Sequence, residues 1–172
     1  MHRAVALVIV AGALGLAPAA CSPTPLPGTQ LGTFRVVASS KQNTCGLGAP
    51  DPWAFDAALS RDGALVYWSW MDGSPLLSGP VDAQSAAELD DDMTANVDPT
   101  DAGDGPCTMD RKSVLDLDLG GAATGSFRGT LTYSFSAVAG ADCSDQLVSS
   151  GAGGQYDALP CTITYSMVGT KQ

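Results

Sequence analysis

The sequence predicts a single all-β domain, an antiparallel assembly of about eight strands. Three observations carry this. Period-two alternation recurs along the chain, with Leu115, Leu117 and Leu119 set against Asp116 and Asp118. Residues 126–138 repeat it, with Phe127, Gly129, Leu131, Tyr133 and Phe135 set against Arg128, Thr130, Thr132, Ser134 and Ser136. Gly 20 and Pro 11 in 172 residues punctuate the chain with turns. Charged residues make up only 15%, against about 25% in an ordinary soluble domain, so Ser, Thr, Asn, Gln and Gly must supply the polar surface. One-sided strands of this kind form antiparallel sheet with one face on a core.

The strands follow in order. Residues 32–39 (GTFRVVAS) are β-branched and aromatic. Residues 53–60 alternate, with Phe55, Ala57 and Leu59 on one face. Arg61-Asp62-Gly63 is a turn, and residues 64–70 (ALVYWSW) return from it. Asp72-Gly73 repeats the turn chemistry before residues 76–81, which makes a three-strand meander. Residues 82–89 are expected to form one short helix with Asp82 as N-cap. Residues 93–97 make a fifth strand, followed by 113–119, 126–138 and 159–167. In the last, Cys161, Ile163, Tyr165 and Met167 share a face. Eight such strands close an up-and-down barrel or stack as a sandwich, and the meander favours the barrel.

The N-terminus is a separate unit. His2 and Arg3 precede an apolar run over residues 4–16. That run is too short for a bilayer core of about 30 Å and suits the h-region of a secretory signal. It ends Leu16-Ala17-Pro18-Ala19-Ala20-Cys21. Ala19, Ala20 and Cys21 resemble the end of the lipobox of a bacterial lipoprotein precursor, with Pro18 standing where that pattern has Leu. The resemblance implies cleavage before Cys21, acylation of Cys21 with diacylglycerol and a second chain such as palmitate, and a place in the bacterial cell envelope. Two chains anchor stably where one is marginal. Ala17-Pro18-Ala19 is also an A-x-A site, which allows plain secretion from Ala20. Cysteine parity favours the lipid: of Cys 5, lipidation consumes Cys21 and leaves four to pair. The organisation is therefore a signal at 1–20, a lipidated Cys21 with a Pro-rich tether over 21–31, and a β-domain over 32–172. Gly32-Thr33-Phe34 resembles, with Phe for Trp, the Gly-x-Trp that opens a lipocalin barrel. That resemblance implies an up-and-down barrel.

Four cysteines allow three pairings. The preferred one joins Cys45 to Cys107 and Cys143 to Cys161, because the Ser-, Gly- and Asp-rich loop between the latter two cannot order itself by burial. No C-x-x-C spacing suggests a metal or redox role.

Composition narrows the function. The chain carries a formal charge of −10, one unit more negative once the signal and Arg3 are gone. Nucleic acid is thereby disfavoured as a partner. The single histidine, His2, lies in the signal, which argues against Ser-His-Asp and Cys-His catalysis. No nucleophile elbow, P-loop or dinucleotide fingerprint is present. The expectation is a non-enzymatic, lipid-anchored binding or structural domain, partnered by the membrane through Cys21 and by a protein or a small molecule. A barrel mouth of about 300 Å³ or more would support the small-molecule version, and a filled interior would sink it. Trp68 and Trp70, at i and i+2, are candidate ligand-lining residues.

Two alternatives remain at this point. Nine of the 18 acids fall within residues 82–110, including Asp90-Asp91-Asp92 and then Asp98, Asp101 and Asp104. Hard cations take several such oxygens, so Asp98, Asp101 and Asp104 are candidate Ca²⁺ ligands of an adhesion or structural module. No other cofactor is implied. A carboxylate-dependent hydrolase needs two acids on one cleft, whereas alternation points Asp56, Asp116 and Asp118 outward.

Overall fold

The computed structural model describes residues 25–46, 48–97, 107–151 and 154–172. Eight strands form one antiparallel sheet: β1 (Thr29–Asn43), β2 (Trp53–Asp62), β3 (Leu65–Ser69), β4 (Leu77–Pro80), β5 (Ala86–Val97), β6 (Cys107–Asp118), β7 (Ser126–Ala137) and β8 (Cys161–Lys171). The order is β4-β3-β2-β1-β8-β7-β6-β5. Sequential neighbours pair throughout, and β8 returns to pair with β1, so the sheet curls into a nearly closed up-and-down barrel.

The seam lies between β4 and β5. A bridge between Val81 and Ala87 spans it. Gly79 faces it, and a Cβ there would collide with the Glu88 carbonyl. The absence of a side chain at this one position lets the two edges approach closely enough to hide both.

Each predicted strand corresponds to an observed one, and the predicted barrel is what forms. The expected helix over 82–89 does not form. Asp82 does cap locally: its Oδ1 accepts the amides of Gln84 and Ala86, at 2.9 and 2.8 Å. It closes a turn instead of opening a helix, and β5 starts at Ala86. Ala87 and Leu89 then fall inside the barrel while Glu88 and Asp90 stay exposed. Period two prevails because a helix here would bare those two apolar side chains and leave the seam unpaired.

The two ends of the barrel differ. At one end lie the start of β1, where Thr29 pairs with Arg61, and the 81–86 and 119–125 connections. Leu119 and Ala122 are buried there and plug the barrel. This is the closed end. The leader joins the barrel at the same end: buried Ser60 donates its Oγ hydrogen bond to the Pro27 carbonyl at 2.6 Å. The expected tether over 21–31 is therefore shorter, since residues 29–31 already belong to β1.

Above the plug, Phe34, Phe127 and Trp68 are fully or almost fully buried and meet edge-on, with centroids 5.2 and 5.7 Å apart. Gly169 leaves room for the Phe127 ring, with which any Cβ there would clash. Leu59, Leu89, Leu115, Leu131 and Met167 complete a packed interior.

The disulfides join Cys45 to Cys161 and Cys107 to Cys143, with Cα–Cα distances of 5.0 and 4.7 Å. This overturns the expected pairing, and sheet topology is the reason. β1 pairs with β8 up to Asn43 opposite Ile163, so Cys45 arrives beside Cys161. β6 pairs with β7 from Met109 opposite Ala137, so the chain leaving β7 brings Cys143 to Cys107. Both bonds lie at the open end of the barrel. Disulfides of this kind belong to oxidising compartments. Among the described residues, no helix is long and apolar enough to cross a membrane.

Candidate functional site at the barrel mouth

Strand alternation builds the site. β5 runs Ala87, Leu89, Asp91 along its inner face, and β6 runs Leu117, Leu115, Ser113, Arg111. Both strands are apolar toward the closed end and turn polar toward the open end. Asp91 sits opposite Ser113, and Ser113 opposite Tyr133 of β7, so one row across three strands carries a carboxylate, a hydroxyl and a phenol. The other wall comes from Trp53 at the start of β2, from Trp70 just past β3, and from Asp72, Ser74 and Pro75 in the connection to β4.

These groups enclose a cavity of about 240 Å³. At about 30 Å³ per water, that is room for roughly eight water molecules or one small ring compound. A second cavity of about 380 Å³ adjoins it across Trp53 and Tyr133, lined also by Ala49, Pro50, Ile163 and Tyr165. Among the described residues the deep interior of the barrel is filled, and the cavity lies at the mouth.

Trp53 is the hub of the aromatic wall. It lies nearly parallel to Trp70 at 6.4 Å, tilts against Phe55 at 4.5 Å, and meets Tyr165 edge-on at 5.9 Å. The remaining wall is charged. Arg111 Nη2 lies 3.4 Å from Asp91 Oδ2, and its guanidinium carbon lies 5.8 Å from the centre of the Tyr133 ring. Arg111 Nε and Ser113 Oγ are buried and have no hydrogen-bond partner among the described residues. Leaving such groups unpaired costs about 1–3 kcal/mol each. Trp68 Nε1, in the packed core, is unpaired in the same way.

Asp72 accepts hydrogen bonds from Ser74, whose amide lies 2.9 Å from Oδ1, and these hold its carboxyl below the usual carboxylate range. Asp72 and Asp91 both line the cavity, Asp72 exposed and bonded by Ser74, Asp91 paired with Arg111.

Burial pushes the Tyr133 phenol up to about 12, with nearby Arg111 opposing the shift. A raised native pKa adds stability that is complete below the unfolded value of 10 and is lost as pH climbs from 10 toward 12. Tyr133 alone is expected to remove about 1.4 kcal/mol per pH unit across that window. Urea unfolding between pH 8 and 11.5 checks this. Tyr133→Phe should show a shallower alkaline loss, and a slope unchanged by the substitution contradicts the assignment. Burial raises Tyr156 and Tyr165 in the same direction.

The candidate residues fare differently. Trp70 lines the mouth. Trp68 does not: it is fully buried beneath it, against Trp70, Phe55 and Phe127. Alternation puts both on the inner face, but barrel depth separates them. Cys21, Asp98, Asp101 and Asp104 lie outside the described residues. Among the described residues, no three His, Cys, Asp or Glu side chains are grouped to hold a metal. Asp56 pairs with Arg35 at 3.1 Å on the outer face, where Asp116 and Asp118 are exposed.

Arg111, Ser113 and Asp91 were missing from the expectation. The signal was present: the Leu115–Leu119 alternation, extended backwards, puts Ser113 and Arg111 on the inner face. A broad open groove of about 620 Å³ also runs over the outside of β5 to β7, lined by Asp82, Glu88, Asp116, Asp118 and Arg128. Its charged side chains are solvent-exposed and no unpaired buried polar atom faces it.

Compared with family models, curated proteins and solved structures, the chain finds no match.

Proposed function

We propose that the protein is a lipid-anchored envelope protein that binds a small, ring-bearing molecule at the open end of its barrel. One observation carries this: the mouth cavity walled by Trp53, Trp70 and Tyr133 on one side and by Asp91, Arg111 and Ser113 on the other. Most of the lining is polar, and the aromatic faces supply the apolar contact that ligand pockets use. The filled interior sinks the expected ligand inside the barrel, and the ligand proposed here is a different one, small and held at the mouth. A cavity of about 240 Å³ falls below the range of about 300–1,000 Å³ typical of drug-sized ligands, which limits it to a small one.

The anchor fits the same arrangement. A lipid on Cys21 lies eight residues before Thr29, where β1 starts at the closed end. At about 3.1 Å per residue the Pro-rich link reaches no more than roughly 25 Å. The closed end then faces the membrane and the mouth faces away from it, open to the compartment.

Intact native mass spectrometry of protein purified from its own membranes tests both parts. The expected chain starts at Cys21, carries acyl chains, has two disulfides, and shows a small organic adduct that Trp70→Ala abolishes. An unacylated chain starting at Ala20 overturns the anchor. Identical spectra for the wild type and Trp70→Ala overturn the mouth site.

A further inference from the structure

The barrel does not close along its whole height. β4 has 4 residues and β5 has 12, so the seam covers only the beginning of β5. Among the described residues β6 is the one strand that pairs with β5 along its length. Three contacts show which backbone groups of β5 face the gap. The Ala86 N–H donates to Asp82 Oδ1 at 2.8 Å, the Ala86 carbonyl accepts from the Asp82 amide at 2.9 Å, and the Glu88 carbonyl lies against Gly79 of β4. In an antiparallel strand every second residue directs its backbone groups to the same side. The register of β5 on β6 runs without a bulge, so Asp90, Asp92, Thr94 and Asn96 continue that row. Counted back from the Val81–Ala87 bridge, β4 begins at the level of Asp91. Asp92, Thr94 and Asn96 lie past it. On that side their backbone N–H and C=O groups meet no hydrogen-bond partner among the described residues.

We infer that this free edge, over residues 92–96, accepts one more strand: an extended segment of a partner protein in which basic and apolar residues alternate. Native edges are usually blunted by Lys, Pro, a bulge or short length, and this one has none of these. The side chains are clear of it as well. Thr94 Oγ1 donates to Asp110 at 2.6 Å, and Thr108 Oγ1 donates to Asn96 Oδ1 at 2.8 Å, which holds both side chains over β6. An added strand gains main-chain hydrogen bonds along the row, and alternate side chains give it specificity. The two faces set its sequence. On the outer face stand exposed Asp90, Asp92 and Asp110. Lys112, opposite Asp92, lies 3.7 Å from Asp90 instead, so Asp92 has no cation among the described residues. Opposite charges across antiparallel strands stabilise, and like charges destabilise. On the other face Met93 is 43% exposed, with half-buried Ala95 two residues on. Basic residues therefore suit one side of the incoming strand and apolar residues the other. A second copy of the chain does not, because it would set two such edges and two formal charges of −10 against each other.

Two short synthetic peptides of equal composition test this, one alternating Lys and Val, the other with the Lys and Val in separate blocks. Each is titrated into the full-length protein in detergent, followed by fluorescence anisotropy and by amide hydrogen exchange. The alternating peptide should bind at least fivefold more tightly than the block peptide. It should also slow exchange of the Thr94 and Asn96 amides, which exchange freely without it. Asp92→Lys should weaken it about fivefold, the scale of one cross-strand charge pair. Thr94→Pro deletes an N–H of the free edge and none of the ladder to β6, a place where a strand tolerates Pro, and should abolish binding while the melting temperature stays within a few degrees. Where Thr94→Pro does not fold, Asp92→Lys carries the test. Equal binding of the two peptides means attraction by charge alone and overturns the proposal. Protection of the Thr94 and Asn96 amides before any peptide is added also overturns it.

Discussion

Replacing Cys45 and Cys161 with alanine is expected to be among the most damaging changes to this protein, lowering stability by about 5 kcal/mol. The bond spans 116 residues of chain and clips the end of β1 to the start of β8. Its main action is on the unfolded chain, whose freedom falls with the length of loop closed. The Cys107–Cys143 bond spans 36 residues, and the same reasoning gives about 4 kcal/mol. In a domain of this size each kcal/mol moves the melting temperature by about 2–4 °C. The Cys45/Cys161 variant should therefore melt about 10–20 °C below the wild type, and a few degrees below the Cys107/Cys143 variant. Thermal melts without reductant check the order. A variant lacking Cys45 and Cys161 that melts with the wild type contradicts the pairing.

Trp68→Ala is expected to cost about 3–5 kcal/mol, as large aromatic-to-alanine changes in packed cores do. Trp68 is fully buried and touches Phe55, Trp70 and Phe127, so its loss opens a cavity in the middle of the barrel. Its Nε1–H is buried without a partner. Trp68→Phe removes that unpaired donor while refilling part of the volume, and should recover more than half of the loss. Trp70→Ala is the contrast. Trp70 is half-buried at the mouth, so its loss should cost less stability and more binding. Urea unfolding of the three variants separates core from site. Trp70→Ala proving more damaging to the fold than Trp68→Ala contradicts the depth assigned to each.

Much of the fold was legible because period two is a local signal. The 53–81 meander, the 126–138 strand and the 159–167 strand could all be read from side-chain alternation and Asp-Gly turns. The 82–89 segment misled because Asp82 has the same capping chemistry in a turn as in a helix. Only the need to pair across the seam at Gly79 decides between them, and that need is non-local. The disulfides failed for a related reason. Their pairing depends on β8 closing against β1, a contact between chain ends that no window of sequence contains.

The site was half legible. Trp70, Trp53 and Tyr133 stand out as aromatics on strands. Arg111 and Ser113 were hidden among the charges of Asp110-Arg111-Lys112 and show themselves only once the alternation is carried past Leu115. Depth along the barrel, which buries Trp68 and opens Trp70, follows from the tilt and register of eight strands and not from their sequence.

The most direct test is a crystal structure of the protein purified from its own membranes. The expected result is a small ring compound in the mouth cavity, stacked on Trp53 or Trp70. A cavity that holds only ordered water would contradict the binding role.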